Sequence, residues 1–283
     1  QRFLKQGATI GEDVQVNTSN ESYVYWDWFI ETTGSGSSNE EGSINTTLTL
    51  VDTTSGISIS TYTGTGVAAT IGHGLGAVPK MYLIKNLEAA ESWRVYHVFM
   101  DATAPEDYTM YLDSEVVRVD SADNFNDTAP TTTVFSIGTG SGVNQSTKSH
   151  VAYAFAEIEG YSKFGSYEGN ANQNGPVIYT GFTPAFLMTK GVDSAQQWNI
   201  YDNKRTSSML ADGGNEGTTA GREIIYADAN SIEVGSAGNI DFLANGFKPR
   251  DSANSSNVAS TFIFMAFASN PFGGASTTPA TAV

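Results

Sequence analysis

The chain contains one stretch twice, and this repeat limits its fold more than any other feature. The first copy runs Gly76-Ala-Val-Pro-Lys-Met-Tyr-Leu-Ile-Lys85, and the second runs Gly181-Phe-Thr-Pro-Ala-Phe-Leu-Met-Thr-Lys190. A Trp and then a Tyr follow each copy at the same distance, and all matched residues lie 105 positions apart. Matches at one offset without a gap indicate an internal duplication, so two similar units must share one chain.

The closing part of the unit repeats as well, and the start of the chain resembles that closing part. The matches to the closing part, 112 positions apart, are Phe135 with Phe247, Ala154 with Ala266, Phe155 with Phe267 and Ala156 with Ala268. Phe3-Leu4 recurs as Phe242-Leu243. The longer offset predicts an insertion of seven residues in the second copy, in the loop around 212–217. We interpret the chain as the end of one unit followed by two whole units.

Short segments rich in β-branched and aromatic residues recur about every ten residues, with turn residues between them. Ile57-Ser-Ile-Ser-Thr-Tyr62 alternates apolar and polar positions, as a half-buried strand does. No stretch longer than two turns has the 3.6-residue apolar period of a helix. The sequence therefore predicts an all-β protein built from tandem antiparallel β-sandwich units.

The repeat and the composition divide the chain into five segments. They are an N-terminal strand segment equivalent to the end of a preceding unit (1–33), a linker with a first strand (34–50), β-sandwich unit 1 (51–160), β-sandwich unit 2 (161–272) and a C-terminal arm (273–283). The N-terminal segment alone would leave apolar surface and a strand edge uncovered, so it must complete a sheet of this chain, of a neighbouring subunit or of an upstream segment. We therefore expect the chain to self-associate through this end, by strand addition.

Composition excludes several classes of partner. The net charge is −16, from 30 acidic and 14 basic residues, whereas nucleic-acid binding needs a basic face. The absence of Cys removes disulfides and thiolate metal sites. No apolar run approaches the roughly 20 residues that span a bilayer. We therefore expect neither nucleic-acid binding nor membrane insertion.

Four aromatic residues are the candidate carbohydrate-binding residues: Trp93, Tyr96, Trp198 and Tyr201. Their flat faces suit sugar rings, so together they could form a stacking platform. The alternative is a buried core anchor that recurs with the fold. Presence in both copies favours the core anchor, because binding residues lie more often on variable loops.

Nothing in the sequence locates a catalytic centre. The three histidines, His73, His97 and His150, are far apart in sequence, and no nucleophile motif accompanies them. No pair among the many carboxylates stands out as a glycosidase pair. We therefore predict a protein that is not an enzyme and has no cofactor, no catalytic residue and no metal ligand.

Two further features have simple structural interpretations. The segment 120–127 carries three Asp and two Asn residues, which could offer oxygen ligands to Ca²⁺. It lacks the spacing of a known calcium loop, so an Asx-rich surface turn is favoured. Lys85 and Lys190 recur with the repeat, and we interpret both as surface lysines at strand ends.

Long motifs of this chain resemble a β-sandwich domain that recurs in virion proteins of marine bacteriophages, often described as tail fibre or structural proteins. The residues that carry the resemblance are 39–44, 56–64, 72–80, 93–97, 151–169, 179–186, 242–247 and 265–274. The match extends from about Asn39 to the end of the chain. It implies lectin-like, jelly-roll sandwiches displayed on the exterior of a virion.

The resemblance also implies a function. It is that of a virion structural protein, as a tail fibre or receptor-binding component that mediates host attachment. The implied partners are further copies of the chain (a homo-oligomer, with a trimer as one option), other virion proteins and a host surface glycan or protein. The alternatives are a capsid-decorating head fibre or knob, a glycan-degrading tailspike enzyme and a secreted adhesin. All of them rest on analogy between folds.

Overall fold

The computed structural model describes residues 2–4, 7–9, 17–20, 23, 30, 36–205, 223–231, 240–252 and 256–269. In these residues the protein is built almost entirely from antiparallel β-sheet, which confirms the predicted all-β fold class. Two one-turn α-helices accompany the sheets, α1 (Ala122–Phe125) and α2 (Ser141–Asn144), together with one 3-10 helix (Pro105–Asp107). The predicted C-terminal arm, the 212–217 loop and most of the predicted N-terminal segment lie outside the described residues.

Nineteen strands are described, and the first two form an N-terminal hairpin: β1 (Arg2–Leu4) and β2 (Gly7–Thr9). The strands of the first unit are β3 (Leu48–Asp52), β4 (Ile57–Thr63), β5 (Ala69–Gly72), β6 (Met81–Asn86), β7 (Arg94–His97), β8 (Tyr108–Tyr111), β9 (Val119–Asp120), β10 (Val134–Ile137) and β11 (Ser149–Phe155). The strands of the second unit are β12 (Ser162–Glu168), β13 (Ile178–Tyr179), β14 (Pro184–Gly191), β15 (Asn199–Asp202), β16 (Ile225–Tyr226), β17 (Ile240–Leu243), β18 (Gly246–Pro249) and β19 (Thr261–Ala268).

Each unit combines a large sheet with a small one. In the first unit the orders are β3-β4-β11-β6-β7-β8-β9 and β10-β5, and in the second they are β12-β19-β14-β15-β16 and β13-β18-β17. The series β4-β11-β6-β7 and β12-β19-β14-β15 therefore have the same order. The bounds of β4 and β12, and those of β7 and β15, differ by the offset of 105 seen in the sequence. Their common origin in a duplication stays an inference from the sequence.

Aromatic residues fill the space between the large and the small sheet in each unit. In the first unit the Tyr82 ring stacks between Tyr96 and Phe135, with ring centroids 4.5 and 4.8 Å away. In the second unit Tyr167 stacks on Phe262 at 5.1 Å. These rings are buried, so the small sheet covers the inner face of the large sheet in both units.

The outer faces of the two large sheets pack against each other. The buried side chains of these two faces belong to one continuous cluster. The first unit contributes Met81, Leu83 and Val95, and the second contributes Phe186, Met188 and Ile200. Each of the first three lies 105 positions before its counterpart in the second set. The units thus meet through equivalent faces, as the subunits of an isologous dimer do. The molecule is a stack of four β-layers.

Several side chains make hydrogen bonds across this interface, and Trp198 and His97 are two of them. Trp198 Nε1 donates to the carbonyl oxygen of Tyr111 at 2.8 Å. Nε2 of His97 lies 3.1 Å from the carbonyl oxygen of Phe264. Nδ1 of the same ring accepts a hydrogen bond from the N–H of Phe99 at 3.2 Å. Because Nδ1 is an acceptor, the neutral ring carries its proton on Nε2 and donates to Phe264. Burial lowers the pKa of His97 from 6.5 to about 4.

Replacement of Trp198 by Phe tests the contribution of the interface to stability. The change removes the indole N–H, leaves the Tyr111 carbonyl without its donor and opens a small cavity in the buried cluster. We expect a loss of about 2 kcal/mol in the free energy of unfolding, measured by urea denaturation. The control is Trp93→Phe at the equivalent half-buried position, with an expected loss below about 1 kcal/mol. Equal losses in the two variants would contradict the assignment of Trp198 as an interface anchor.

The pH dependence of stability tests the state of His97. Its pKa is about 4 in the folded protein and near 6.5 in the unfolded chain, so between these values the unfolded chain binds a proton that the folded protein does not. The free energy of unfolding therefore decreases as the pH falls from 6.5 to 4, by up to about 3 kcal/mol from this group.

A variant isolates this contribution from those of His73 and His150. In His97→Asn the amide oxygen still accepts from Phe99, but the side chain no longer titrates. We expect a smaller decrease in stability between pH 6.5 and 4 than in the wild type, measured by urea denaturation at each pH. Trp93→Phe, which removes no titratable group, keeps the wild-type profile. A profile of His97→Asn parallel to the wild type would show that His97 does not titrate in this way.

Candidate functional site

In the first unit, residues 36–52 cover one edge of the large sheet and the adjoining small sheet. Strand β3 pairs along β4, and the N–H of Thr47 extends the ladder to the carbonyl oxygen of Thr61 at 2.7 Å. The N–H of Ser43 donates to Thr70 Oγ1 at 2.9 Å. Asn39 lies against Gly72 so closely that a Cβ atom there would come within 1.8 Å of Asn39 Oδ1. No open strand edge is left at β4.

Within the described residues, the second unit has no such cover at the equivalent place. Strand β11 ends at Phe155 and β12 begins at Ser162, so the connection is too short to contain a covering strand. Among the described strands, β19 alone pairs with β12. The other edge of β12 is therefore bare in the part of the chain that the structure describes.

The direction of the backbone groups on β12 follows from one hydrogen bond. The N–H of Gly169 donates to the carbonyl oxygen of Ser260 at 2.9 Å, and the register between β12 and β19 is regular. Alternate residues of an antiparallel strand direct their N–H and C=O groups to opposite edges. The odd-numbered residues therefore face β19, and the residues that face outward are Phe164, Ser166 and Glu168. The counterparts of Phe164 and Ser166 in the first unit, at 59 and 61, pair with β3.

Glu157 closes one end of this edge. Its Oε2 accepts from the N–H of Phe164 at 3.1 Å, and its Oε1 accepts from Lys163 Nζ at 2.7 Å. A carboxylate thus occupies the place that the carbonyl group of a neighbouring strand would take. The open part of the edge begins at Gly165 and continues to Glu168.

Exposed apolar side chains flank the open edge. Val177 and Tyr179 are 61% and 67% exposed, and Phe99 on the opposite side is 42% exposed. Phe135 and Phe247 are repeat partners, and they pair with Ile71 and Ile178. This register places Val177 and Tyr179 where the first unit has Thr70 and Gly72, two residues that the covering segment contacts.

The open edge of β12 and the exposed apolar side chains beside it together form an open groove of about 430 Å³. We call it the β12 groove and define it by its lining residues, which include Lys80, Phe99, Glu157, Lys163–Tyr167 and Pro176–Tyr179. The groove combines unpaired strand backbone with apolar side chains, which is the composition of a site that receives an extended polypeptide. It is the candidate functional site of this protein.

The four predicted aromatic residues do not form a surface platform. Tyr96, Trp198 and Tyr201 are buried, the first and third in the cores of their own units and the second in the interface between units. Trp93 is half-buried, with its ring centroid 6.0 Å from that of Tyr153. A buried ring face cannot stack on a sugar from solvent. Their positions agree with the alternative interpretation, in which these residues anchor the core.

The three histidines lie in three different places, and each is buried. His73 Nδ1 accepts from the N–H of Leu75 at 3.1 Å. His150 stacks on Tyr62 with centroids 5.2 Å apart, and its Nδ1 lies 3.0 Å from the carbonyl oxygen of Lys148. Burial lowers the pKa of both rings. In the described ranges no three His, Cys, Asp or Glu residues are grouped closely enough to hold a metal ion.

The segment 120–127 forms the end of β9, helix α1 and the turn that follows it. Asn126 and Asp127 both have positive φ angles, of 56° and 44°, as Asn and Asp in turns tolerate. Thr139 Oγ1 donates to Asp123 Oδ1 at 3.0 Å. Burial, and then the nearby charges of Asp107 and Asp120, raise the pKa of Asp127. The favoured interpretation as an Asx-rich turn agrees with this geometry.

The prediction of a surface lysine is wrong for Lys190. Its side chain is buried, and Nζ donates to the carbonyl oxygens of Glu115 at 3.1 Å and Gly191 at 2.9 Å. Burial lowers the pKa of Lys190 to about 8. The reason is the packing of the second unit against the first, which places the end of β14 inside the molecule. Lys85, its counterpart, is half-buried and donates to the carbonyl oxygen of Glu91.

No helix in the described residues is both long enough and apolar enough to cross a membrane. Comparison with curated proteins finds no match, and comparison with solved structures finds none either. A model of a protein family, described as a domain of unknown function (DUF7483), matches residues 1–271. This match includes the N-terminal hairpin and both units. The chain therefore belongs to the DUF7483 family.

Proposed function

We propose that this protein is a structural component of a bacteriophage virion, in a tail fibre or receptor-binding position on the exterior of the particle. In this role it mediates host attachment and associates with other copies of itself and with other virion proteins. It does not act as an enzyme. The resemblance of its motifs to virion β-sandwich domains is the sequence argument for this function.

The observation that carries the proposal is the β12 groove. Two equivalent sandwich edges exist in the molecule, and residues 36–52 cover the one at β4, whereas none of the described residues forms a strand along the one at β12. A bare strand edge beside exposed Val177 and Tyr179 is the feature of a module that another polypeptide completes. Assembly through such edges suits a protein that builds a fibre or decorates a particle.

The hydrogen bonds of the histidine and Lys190 side chains give further support. The three histidine rings make hydrogen bonds to backbone groups inside the β-layers, and Lys190 Nζ donates to two backbone carbonyls. The large aromatic residues fill the cores. These groups therefore hold the layers together, which favours a mechanical over a catalytic role.

Immunogold electron microscopy of particles that carry this chain tests the proposal. We expect an antibody raised against the purified protein to label the tail. Label on the capsid surface would instead identify a head-decorating fibre or knob. Particles without any label would overturn the assignment to a virion and favour a secreted adhesin.

A competition assay tests attachment itself. If the protein contacts the host surface, the purified chain occupies the receptors and slows adsorption of particles to host cells several-fold. The control is the same protein after heat denaturation, which keeps the composition and net charge but loses the fold. An unchanged adsorption rate at saturating protein would contradict a receptor-binding position. Release of sugars from host polysaccharide would contradict the non-enzymatic assignment.

A further inference from the structure

The β12 edge has the features that allow pairing with another strand. Ser166 directs its N–H and C=O groups away from β19, and its side chain is exposed. Strand β12 contains no Pro, which would remove an outward N–H group. Glu157 blunts the edge at Phe164, but the backbone from Gly165 to Glu168 stays accessible. Natural proteins usually protect such edges, so a bare one calls for a partner strand.

We propose that two copies of this chain pair through β12, antiparallel and about a two-fold axis at Ser166. The pairing joins the two five-stranded sheets into one sheet of ten strands. It buries Val177, Tyr179 and Phe99 next to the new strand pair. The association is a property of the chain itself and holds wherever the protein lies on a particle.

The edge is complementary to itself. Because the outward residues of β12 are all even-numbered, an axis at Ser166 sets Phe164 of one copy opposite Glu168 of the other. The carbonyl oxygen of Phe164 then accepts from the N–H of Glu168, while the N–H of Phe164 stays bonded to Glu157. The Glu168 carboxylate then approaches the end of the groove where Lys80 and Lys163 lie. Glu157 neutralises Lys163 at this end, so Lys80 leaves one net positive charge to receive the Glu168 carboxylate, twice per dimer.

The covered edge of the first unit limits the proposed assembly to two copies. Its equivalent edge, at β4, is covered by β3, so each chain offers one bare edge of this kind in its described part. One bare edge per chain gives a closed two-fold contact, whereas two would give an open filament. The short connection between β11 and β12 keeps the second edge open, because it leaves no room for a covering strand.

Sedimentation velocity on the purified full chain tests the proposal, over a hundredfold range of concentration and in about 0.5 M salt, which screens the repulsion between chains of net charge −16. The matched pair of variants is Ser166→Pro and Ser166→Ala. Proline removes the outward N–H group of Ser166, while alanine keeps it. We expect dimers in the wild type and in Ser166→Ala, and a Kd at least tenfold higher in Ser166→Pro. The melting temperature changes little, since this N–H group is not bonded to β19.

A cross-link supplies a second readout that does not require the proline variant to fold. The chain has no Cys, so Ser166→Cys introduces a single thiol at the proposed axis. Residues paired across such an axis have Cα atoms about 5.5 Å apart, within the range of a disulfide. Under mild oxidation by oxygen we expect rapid covalent dimers from Ser166→Cys and slow ones from Ser38→Cys, an exposed control on the covering segment.

The outcomes are decisive in both directions. A wild type that stays monomeric over the whole range, or equal cross-linking rates at positions 166 and 38, would overturn the proposal. Association of Ser166→Pro as tight as that of the wild type would do the same. Because these measurements use purified protein, their failure leaves the labelling of particles unaffected, and the two proposals are separable.

Discussion

The contact between the two large sheets is the interaction on which the rest of the molecule depends. Each sheet buries an inner face against its own small sheet and an outer face against the other unit. Met81 and Leu83 on one side meet the layer of Phe186 and Met188 on the other, and water is excluded from both. Removing either unit would expose an apolar sheet face to solvent, at about 25 cal/mol for each Å². The units therefore form one body, although the chain repeats its plan twice.

The two halves use the same plan differently at one edge. In the first unit residues 36–52 lie along β4, whereas six residues separate β11 from β12. In the part of the chain that the structure describes, this difference in connection length leaves β12 bare and Tyr179 exposed. Similar sandwich units thus give one covered edge and one open edge, and the open edge is the place where we propose that a partner strand adds.

The sequence predicts much of this fold and little of the candidate site. The offset of 105 residues predicts the correspondence of β4 with β12, and the alternation of Ile57 to Tyr62 predicts a strand. The apolar run from Met81 to Ile84 predicts a buried strand, but it does not say what covers each face. For the same reason Lys190 was assigned to the surface. One sequence feature indicates the β12 groove, namely the short spacing between the end of one repeat and the start of the next.

The two units of one chain meet through equivalent faces, as two subunits would. This contact and a contact at the β12 edge respond differently to dilution. The sheets of one chain stay at a high effective concentration with respect to each other, because the connection between β11 and β12 joins them covalently. Their contact therefore persists at any protein concentration, as in a dimer whose subunits have been fused. The β12 edge has no such covalent connection to a partner strand, so a bound partner dissociates when the concentration of free partner falls.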